Sequence, residues 1–369
     1  MRIRPESVQS RHGLFRNGEK IREDGHKFVF AIDISYLRGN KTRYMKLHTI
    51  LILAAAIAAS ACGSGGKNGM PAQRHTEQTE QTAQGARSRT LRRPTVPIEE
   101  SITVEKRRAW LAGHFWDDYP FEAETDPTLY DTLDMCRALA EYVSECVTPE
   151  NADSLLGGLM RRAHCSRPML DYFAMLADEV LHDPNSPLRN DEYYIPVLRV
   201  LVASPYYDEY DRIAPQYALD MALRNRPGEA ANDFAYTLAD GRSRRMHDIE
   251  TDYLLILFNN PGCPACRQIT DDVTASPLLN ELGERGAFKV LAIYPDTDLD
   301  AWRDYLPQMP EGWINAYDGT QALTRERLYD LRAIPSIYLL DSGKHVLVKD
   351  GINVEQVEYA VMEHQANTR

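Results

Sequence analysis

The sequence predicts an all-α segment followed by an α/β domain built on a mixed sheet. Three observations carry this. From about Glu99 to Pro227, apolar residues recur at three- and four-residue spacing and no stretch reads convincingly as a strand. After Pro227-Gly228, short apolar runs of strand length alternate with helical stretches. One of those runs, YLLILF at 253–258, leads through Asn259-Asn260-Pro261-Gly262 into Cys263-Pro264-Ala265-Cys266.

The helical elements follow in order. Asp126-Pro127 reads as an N-cap followed by proline at N1, opening a helix that runs through Val147. Tyr130, Leu133, Cys136, Leu139, Val143 and Cys146 mark its buried face. Thr148-Pro149 starts a second helix with Leu155, Leu156, Leu159 and Met160. Ser166 precedes a third, with Met169, Leu170, Phe173, Leu176, Val180 and Leu181. Asn190 precedes the helix of IPVLRVLV, and SPYYDEYDRIAPQYALDMAL supplies the last. Such helices need mutual packing, so 99–228 is expected to form one all-α domain. The aromatic and acidic run from Tyr193 to Tyr217 could line a peptide groove, but its periodicity favours core anchors with acidic outer faces.

In the second domain, 229–369, DFAYTLADGRSRRM reads as two short strands around the Asp240-Gly241 turn. YLLILF has the wholly apolar character of a strand buried on both faces. A helix is expected from the Cys-x-x-Cys to about Glu284. FKVLAIYP then reads as a strand, DLDAWRDYL as a helix, GWINAYD as a short extended segment and QALTRERLYDL as a helix. IPSIYLLD and KHVLVKDG form the closing strands, and VEQVEYAVMEH the last helix.

Composition narrows the function classes. The net charge is −12, from 42 Lys/Arg and 54 Asp/Glu. Residues 1–61 are basic, so the remainder is more acidic still, which argues against a nucleic-acid partner. MKLHTILILAAAIAASAC, residues 45–62, has a basic start, an apolar core too short to span a bilayer and small residues before Cys62. This is the layout of a secretory signal, and its end resembles the lipobox of bacterial lipoproteins. On that resemblance 45–61 is a cleaved signal peptide and Cys62 the lipidated residue. Residues 1–44 then lie upstream of the true start at Met45. Gly63 to Ile98, rich in Gly, Gln, Thr, Ser and Pro, is expected to be a flexible tether. Lys67 is the only charge soon after Cys62, where surface-exported lipoproteins of Bacteroidales carry an acidic cluster. The resemblance therefore favours a periplasmic location, on the inner leaflet of the outer membrane.

The remaining cysteines are read as follows. Cys136 and Cys146 lie ten residues apart on one helix, about 15 Å, too far to pair directly. Any bridge among Cys136, Cys146 and Cys165 must therefore involve Cys165, and buried free thiols are the favoured state of all three. Cys263 and Cys266 lack the second ligand pair of a zinc ribbon. The positions seven and three before Cys263, Ile256 and Asn260, do not suit a peroxide-reducing thiol. A cysteine in the first turn of a helix meets free backbone N–H groups and the positive end of the dipole. Cys263 is therefore the expected nucleophile, with a depressed pKa, and Cys266, on the same face, the resolving thiol.

A strand, a Cys-x-x-Cys at a helix start, and Ile334-Pro335-Ser336 before a hairpin resemble the thioredoxin fold. The leading hairpin and the long segment between Cys266 and Pro335 look like the membrane-anchored ResA/TlpA branch. The helical part, with PNSPLRNDEYYIPVL, is similar to that of uncharacterised thioredoxin-like lipoproteins of Bacteroidales. The resemblance implies a cis-proline at Pro335, with the backbone of Ile334 pairing with substrate. It also implies a thiol–disulfide oxidoreductase acting on exported proteins, fed by a membrane electron donor and needing no cofactor. Two departures stand out: Leu257 occupies the place of the buried Asp of thioredoxins, and Gly262 that of the Trp before the first cysteine. The competing reading is a non-catalytic binding lipoprotein whose acidic helical domain docks a partner.

Overall fold

A computed structural model describes residues 88–101 and 103–368. The expected signal segment, Cys62 and the tether as far as residue 87 lie outside the described residues.

Six helices come first: α1 (Val104–His114), α2 (Thr132–Cys146), α3 (Ala152–Ala163), α4 (Arg167–Leu181), α5 (Asp191–Ala203) and α6 (Ile213–Ala222). Ser166 and Asn190, which the sequence places just before these helices, cap α4 and α5 through their side chains. The helix expected from Asp126 starts later. Asp126 caps only a 3-10 turn, Pro127–Leu129, and α2 begins behind Asp131. The cause is a long-range pairing. Arg89 N–H donates to Leu129 O and Asp131 N–H to Arg89 O, each at 2.8 Å, which holds 129–131 extended. This strand-like contact also shortens the expected tether. Leu91 is buried, its N–H donates to Asp134 at 2.7 Å, and Arg93 reaches both Asp134 and Glu141, so residues 88–93 lie along α2. The second helix starts at Ala152 rather than at Thr148-Pro149, because Thr148 N–H donates to the Asn151 side chain outside the helix.

Leu139, Leu156, Met160, Leu170, Phe173 and Leu176 fill the centre of the helical part. The core reading of the aromatic run holds for Tyr194, Ile195, Val197, Leu198 and Leu201. It fails further on, where Tyr210, Ile213 and Tyr217 are exposed.

The α/β part contains β1 (Ala235–Leu238), β2 (Ser243–Arg245), β3 (Tyr253–Phe258), α7 (Pro264–Ala275), α8 (Pro277–Glu284) and β4 (Phe288–Tyr294). Then come α9 (Leu299–Tyr305), β5 (Ile314–Tyr317), α10 (Ala322–Arg325), β6 (Ser336–Leu340), β7 (Val346–Gly351) and α11 (Val354–Asn367). The seven strands form one mixed sheet in the order β2-β1-β5-β4-β3-β6-β7, with β3 parallel to β4 and antiparallel to β6. Side chains alternate across it. Leu254, Ile256 and Phe258 join one core with Leu291 and Tyr338, while Leu255 and Leu257 join the other with Ile269, Val273 and Val361. Double burial explains why β3 is apolar throughout. The single helix expected to Glu284 is broken at Ser276-Pro277, where Ser276 closes α7 and caps α8. The helix expected at 321–331 shrinks to α10, flanked by left-handed Gln321 and Arg327.

The helical part is fastened to this sheet by buried charge. Lys349 on β7 donates to the carbonyls of Ala222 and Arg224 at the end of α6, both at 2.7 Å, and pairs with Asp191 in the first turn of α5 at 2.8 Å. Both side chains are almost wholly buried. A cation thus sits on the negative end of one helix and an anion on the positive end of another. Burial pushes the Asp191 carboxyl up, but Lys349 and Arg332 outweigh it and hold the group below its ordinary value. The pair therefore stabilises the fold at neutral pH, and its contribution is lost as pH falls through the depressed native value. Lys349→Met should cost about 3–5 kcal/mol in urea unfolding at pH 7, because Asp191 is left buried with only Arg332, 3.7 Å away, to offset its charge. The penalty should shrink as pH falls, because loss of Lys349 raises the folded-state pKa of Asp191 and protonation then removes the buried charge. Adding Asp191→Leu to the variant should recover part of the loss, and a double variant no better than the single would contradict the pairing.

Candidate active site

The site is built where β3 ends and α7 begins. Asn259, buried, keeps the ladder going one residue past β3 through its N–H to Ile293 O at 3.0 Å. Asn260 ties the following turn to Asp296 through its side chain at 3.1 Å. Gly262 then adopts φ +73°, a conformation that costs a residue with a Cβ. This accounts for glycine at the position where the resemblance leads one to expect Trp.

Cys263 is the N-cap of α7, with Pro264 at N1. Its sulfur accepts the Cys266 N–H at 3.1 Å. Cys263 and Cys266 are joined as a disulfide, with Cα atoms 5.3 Å apart. The two sulfurs differ in access: Cys266 is 1% exposed, whereas Cys263 is half-buried and flanked by exposed Gly262 and Pro264. The Ile334-Pro335 peptide bond is cis. The Cys263 sulfur lies 3.9 Å from the Ile334 carbonyl oxygen. All four candidate residues read from the sequence for the α/β part, Cys263, Cys266, Ile334 and Pro335, thus meet at one place.

Between residues 66 and 225 the chain matches the family described as a domain of unknown function (DUF5106). A thioredoxin-like protein from Bacteroides caccae, solved by crystallography, is 36% identical, with a TM-score of 0.70 over 74% of this chain and 99% of that one. The chain belongs to the thioredoxin-like proteins. The C-terminal domain of an uncharacterised protein from Bacteroides fragilis is 39% identical, with a TM-score of 0.36 over 37% of this chain and 98% of that one. Bovine nucleoredoxin is 25% identical over 114 residues, 31% of this chain and 26% of the relative. This thioredoxin-like chain therefore spans about a quarter of the length of the nucleoredoxins it matches. The fold class read from the sequence is borne out, helices first and a thioredoxin-like domain after them.

Sequence reasoning could not find an acid near the site to stand for the one missing at Leu257. Leu257 is fully buried among Ile269, Val273 and Leu339, so no carboxylate reaches Cys266 from there. The buried acid beside the cis-proline segment is Asp350. It accepts from the Ser336 hydroxyl at 2.9 Å and pairs with Arg189 at 3.1 Å and Arg332 at 3.3 Å. Burial holds its pKa above the ordinary value, against the two guanidinium groups. Asp350 itself takes φ +48°, where the β6–β7 ladder loses its register. No local signal marks such a residue: KHVLVKDG reads as a closing strand with nothing to single out its aspartate.

Two of the other thiols are chemically quiet. Cys136 and Cys146 are buried and free, and burial pushes each thiol up to about 12, with neighbouring carboxylates adding to it. Cys165, half-buried, is also free. After reduction, Cys263 should be alkylated by iodoacetamide at pH 7 well before Cys266, while Cys136 and Cys146 stay unmodified until the protein is denatured. Peptide mapping by mass spectrometry reads all four, and labelling of Cys136 ahead of Cys263 would overturn the assignment.

Proposed function

We propose that the protein is a lipid-anchored thiol–disulfide oxidoreductase acting on exported proteins. The observation that carries this is the position of the Cys263 sulfur: at a helix N-cap, half-buried between exposed Gly262 and Pro264, facing the Ile334 carbonyl, with Cys266 buried one turn further in. In this reading Met45–Ala61 directs export, Cys62 carries the lipid and the chain beyond it tethers the folded body in the periplasm. Residues 99–228 and 229–369 are the helical and redox domains.

The reaction follows from the geometry. In the reduced protein, the Cys266 N–H and the helix N-terminus stabilise the Cys263 thiolate. That thiolate attacks one sulfur of a substrate disulfide; a mixed disulfide forms and the other substrate sulfur leaves as a thiolate, protonated by water. Ile334 and Pro335 hold the substrate backbone beside the bond. Cys266 then loses its proton to solvent and attacks Cys263, the mixed bond breaks, and the second substrate thiolate is released. Two electrons pass to the substrate and the protein keeps the Cys263–Cys266 disulfide. A dithiol donor at the membrane restores the reduced form by the reverse exchange.

Cys266→Ala should accumulate mixed disulfides through Cys263, because the second attack is gone, and should lose insulin-reduction activity by at least about 100-fold. Non-reducing gels and mass spectrometry identify the trapped proteins. Reduced parent protein that fails to exchange with insulin or with any small disulfide would overturn the reading.

A further inference from the structure

The helical part does more than brace the sheet. A cavity of about 320 Å³ lies between α6 and the loop that leads from α10 toward Pro335. Tyr217, Ala218 and Met221 form its helical wall, and Leu323, Tyr329 and Leu331 the facing one. Arg332 also lines it, two residues before Ile334, whose carbonyl lies 3.9 Å from the Cys263 sulfur. Two residues of chain span at most about 7 Å. A polypeptide joined to Cys263 through its own cysteine therefore reaches the cavity within about two to four residues of that cysteine.

The chemistry of the lining favours a ring. The lining joins apolar and aromatic walls to the polar side chains of Thr324, Arg327, Asp330 and Arg332, and the volume is near the lower end of ligand sites, about 300–1,000 Å³, suited to one large side chain. The Arg327 guanidinium stands 4.8 Å over the Tyr217 ring at the rim and offers a cation–π surface. His182 lines the cavity, stacked on Tyr194 at 4.8 Å, and its buried Nδ1 has no hydrogen-bond partner among the described residues. Thr324, Asp330 and Arg332 on the same lining carry polar groups that can hydrogen-bond a phenolic hydroxyl. Outside the cavity, exposed Ile213 and Tyr210 extend the line of Tyr217 at four- and three-residue spacing along α6 and the turn before it. Exposed aromatics in a row, continuous with a cavity, mark a contact surface.

We propose that this cavity receives a tyrosine side chain of the substrate polypeptide, two to four residues from the cysteine that pairs with Cys263. The inference rests on the oxidoreductase reading and adds its specificity: α6 and the 323–332 loop select disulfides flanked by an aromatic residue.

The test uses the reduced full-length protein and disulfide-linked peptide homodimers. Each peptide carries one cysteine and either tyrosine or alanine at two, three or four residues to either side. The second-order rate constant for peptide reduction should be at least about tenfold higher for the best tyrosine peptide than for its alanine counterpart. Ala218→Phe, which fills the cavity from α6, should abolish that preference and leave reduction of bis(2-hydroxyethyl) disulfide unchanged. If Ala218→Phe does not fold, Ala218→Leu provides a smaller plug for the same comparison. Exchange with the small disulfide but no tyrosine preference at any position would overturn this inference alone, as would a preference that survives the plug. No exchange with any disulfide would overturn both readings.

Discussion

Lys349 is the residue on which the arrangement of the molecule depends. It is one buried cation serving two helices at once, closing the carbonyl end of α6 and neutralising the carboxylate at the start of α5. A buried lysine without partners is unfavourable, so its position is tolerated only while both helices are docked. The sheet edge at β7 and the helical part are thereby made mutually dependent. Arg332 and Arg189 extend the same cluster through Asp350 to Ser336, the residue after the cis-proline. Docking of the helices and placement of the cis-proline loop are thus one electrostatic arrangement.

The redox site is local by comparison. β3 is buried on both faces and so cannot shift without exposing apolar surface on one side or the other. It delivers Asn259 to Gly262 to a fixed place, where the left-handed glycine turns the chain and lets Cys263 cap α7. Asymmetry between the two sulfurs follows from helix geometry alone: the first lies at the exposed end, and the second, one turn in, faces the core. The chemistry thus needs little beyond a strand, a turn and a helix start. This is why Cys263 lies near the surface while Cys136 and Cys146 are buried in the helical interior.

What could be read from the sequence was whatever has a short-range cause. YLLILF, the Ser166 and Asn190 caps, the Asp240-Gly241 hairpin and the Cys-x-x-Cys helix start each carry their own signal within a few residues. Ser276-Pro277 also carried one, a cap followed by proline at N1, and the longer helical periodicity masked it. The displaced start of α2 had no such signal, because Arg89 decides it from outside the element. Lys349, Asp191, Arg332 and Asp350 were equally illegible. Each is an ordinary polar residue in its own segment, and only the tertiary fold brings them together away from water. The exposed aromatics of α6 illustrate a third case. Periodicity locates a face of a helix, but whether that face meets the core or solvent depends on how the helix docks.

The same division bears on selectivity. Every disulfide offers the attacking thiolate the same two sulfurs, so Cys263 and Cys266 by themselves cannot distinguish one protein from another. Discrimination has to come from contacts beyond the bond, on a surface held in constant register with it. A loop alone would provide such contacts poorly, since it would be free to move relative to the sulfur. Here the loop from α10 to Pro335 runs against α6, and α6 is held to β7 by Lys349 at its own carbonyl end. The helical wall of the cavity therefore keeps its position relative to Ile334 for the same reason that the two parts of the molecule stay together. On this view the helical domain selects substrates because it is rigidly docked, and loosening the Lys349 cluster would blur substrate choice before it slowed the chemistry of the cysteines.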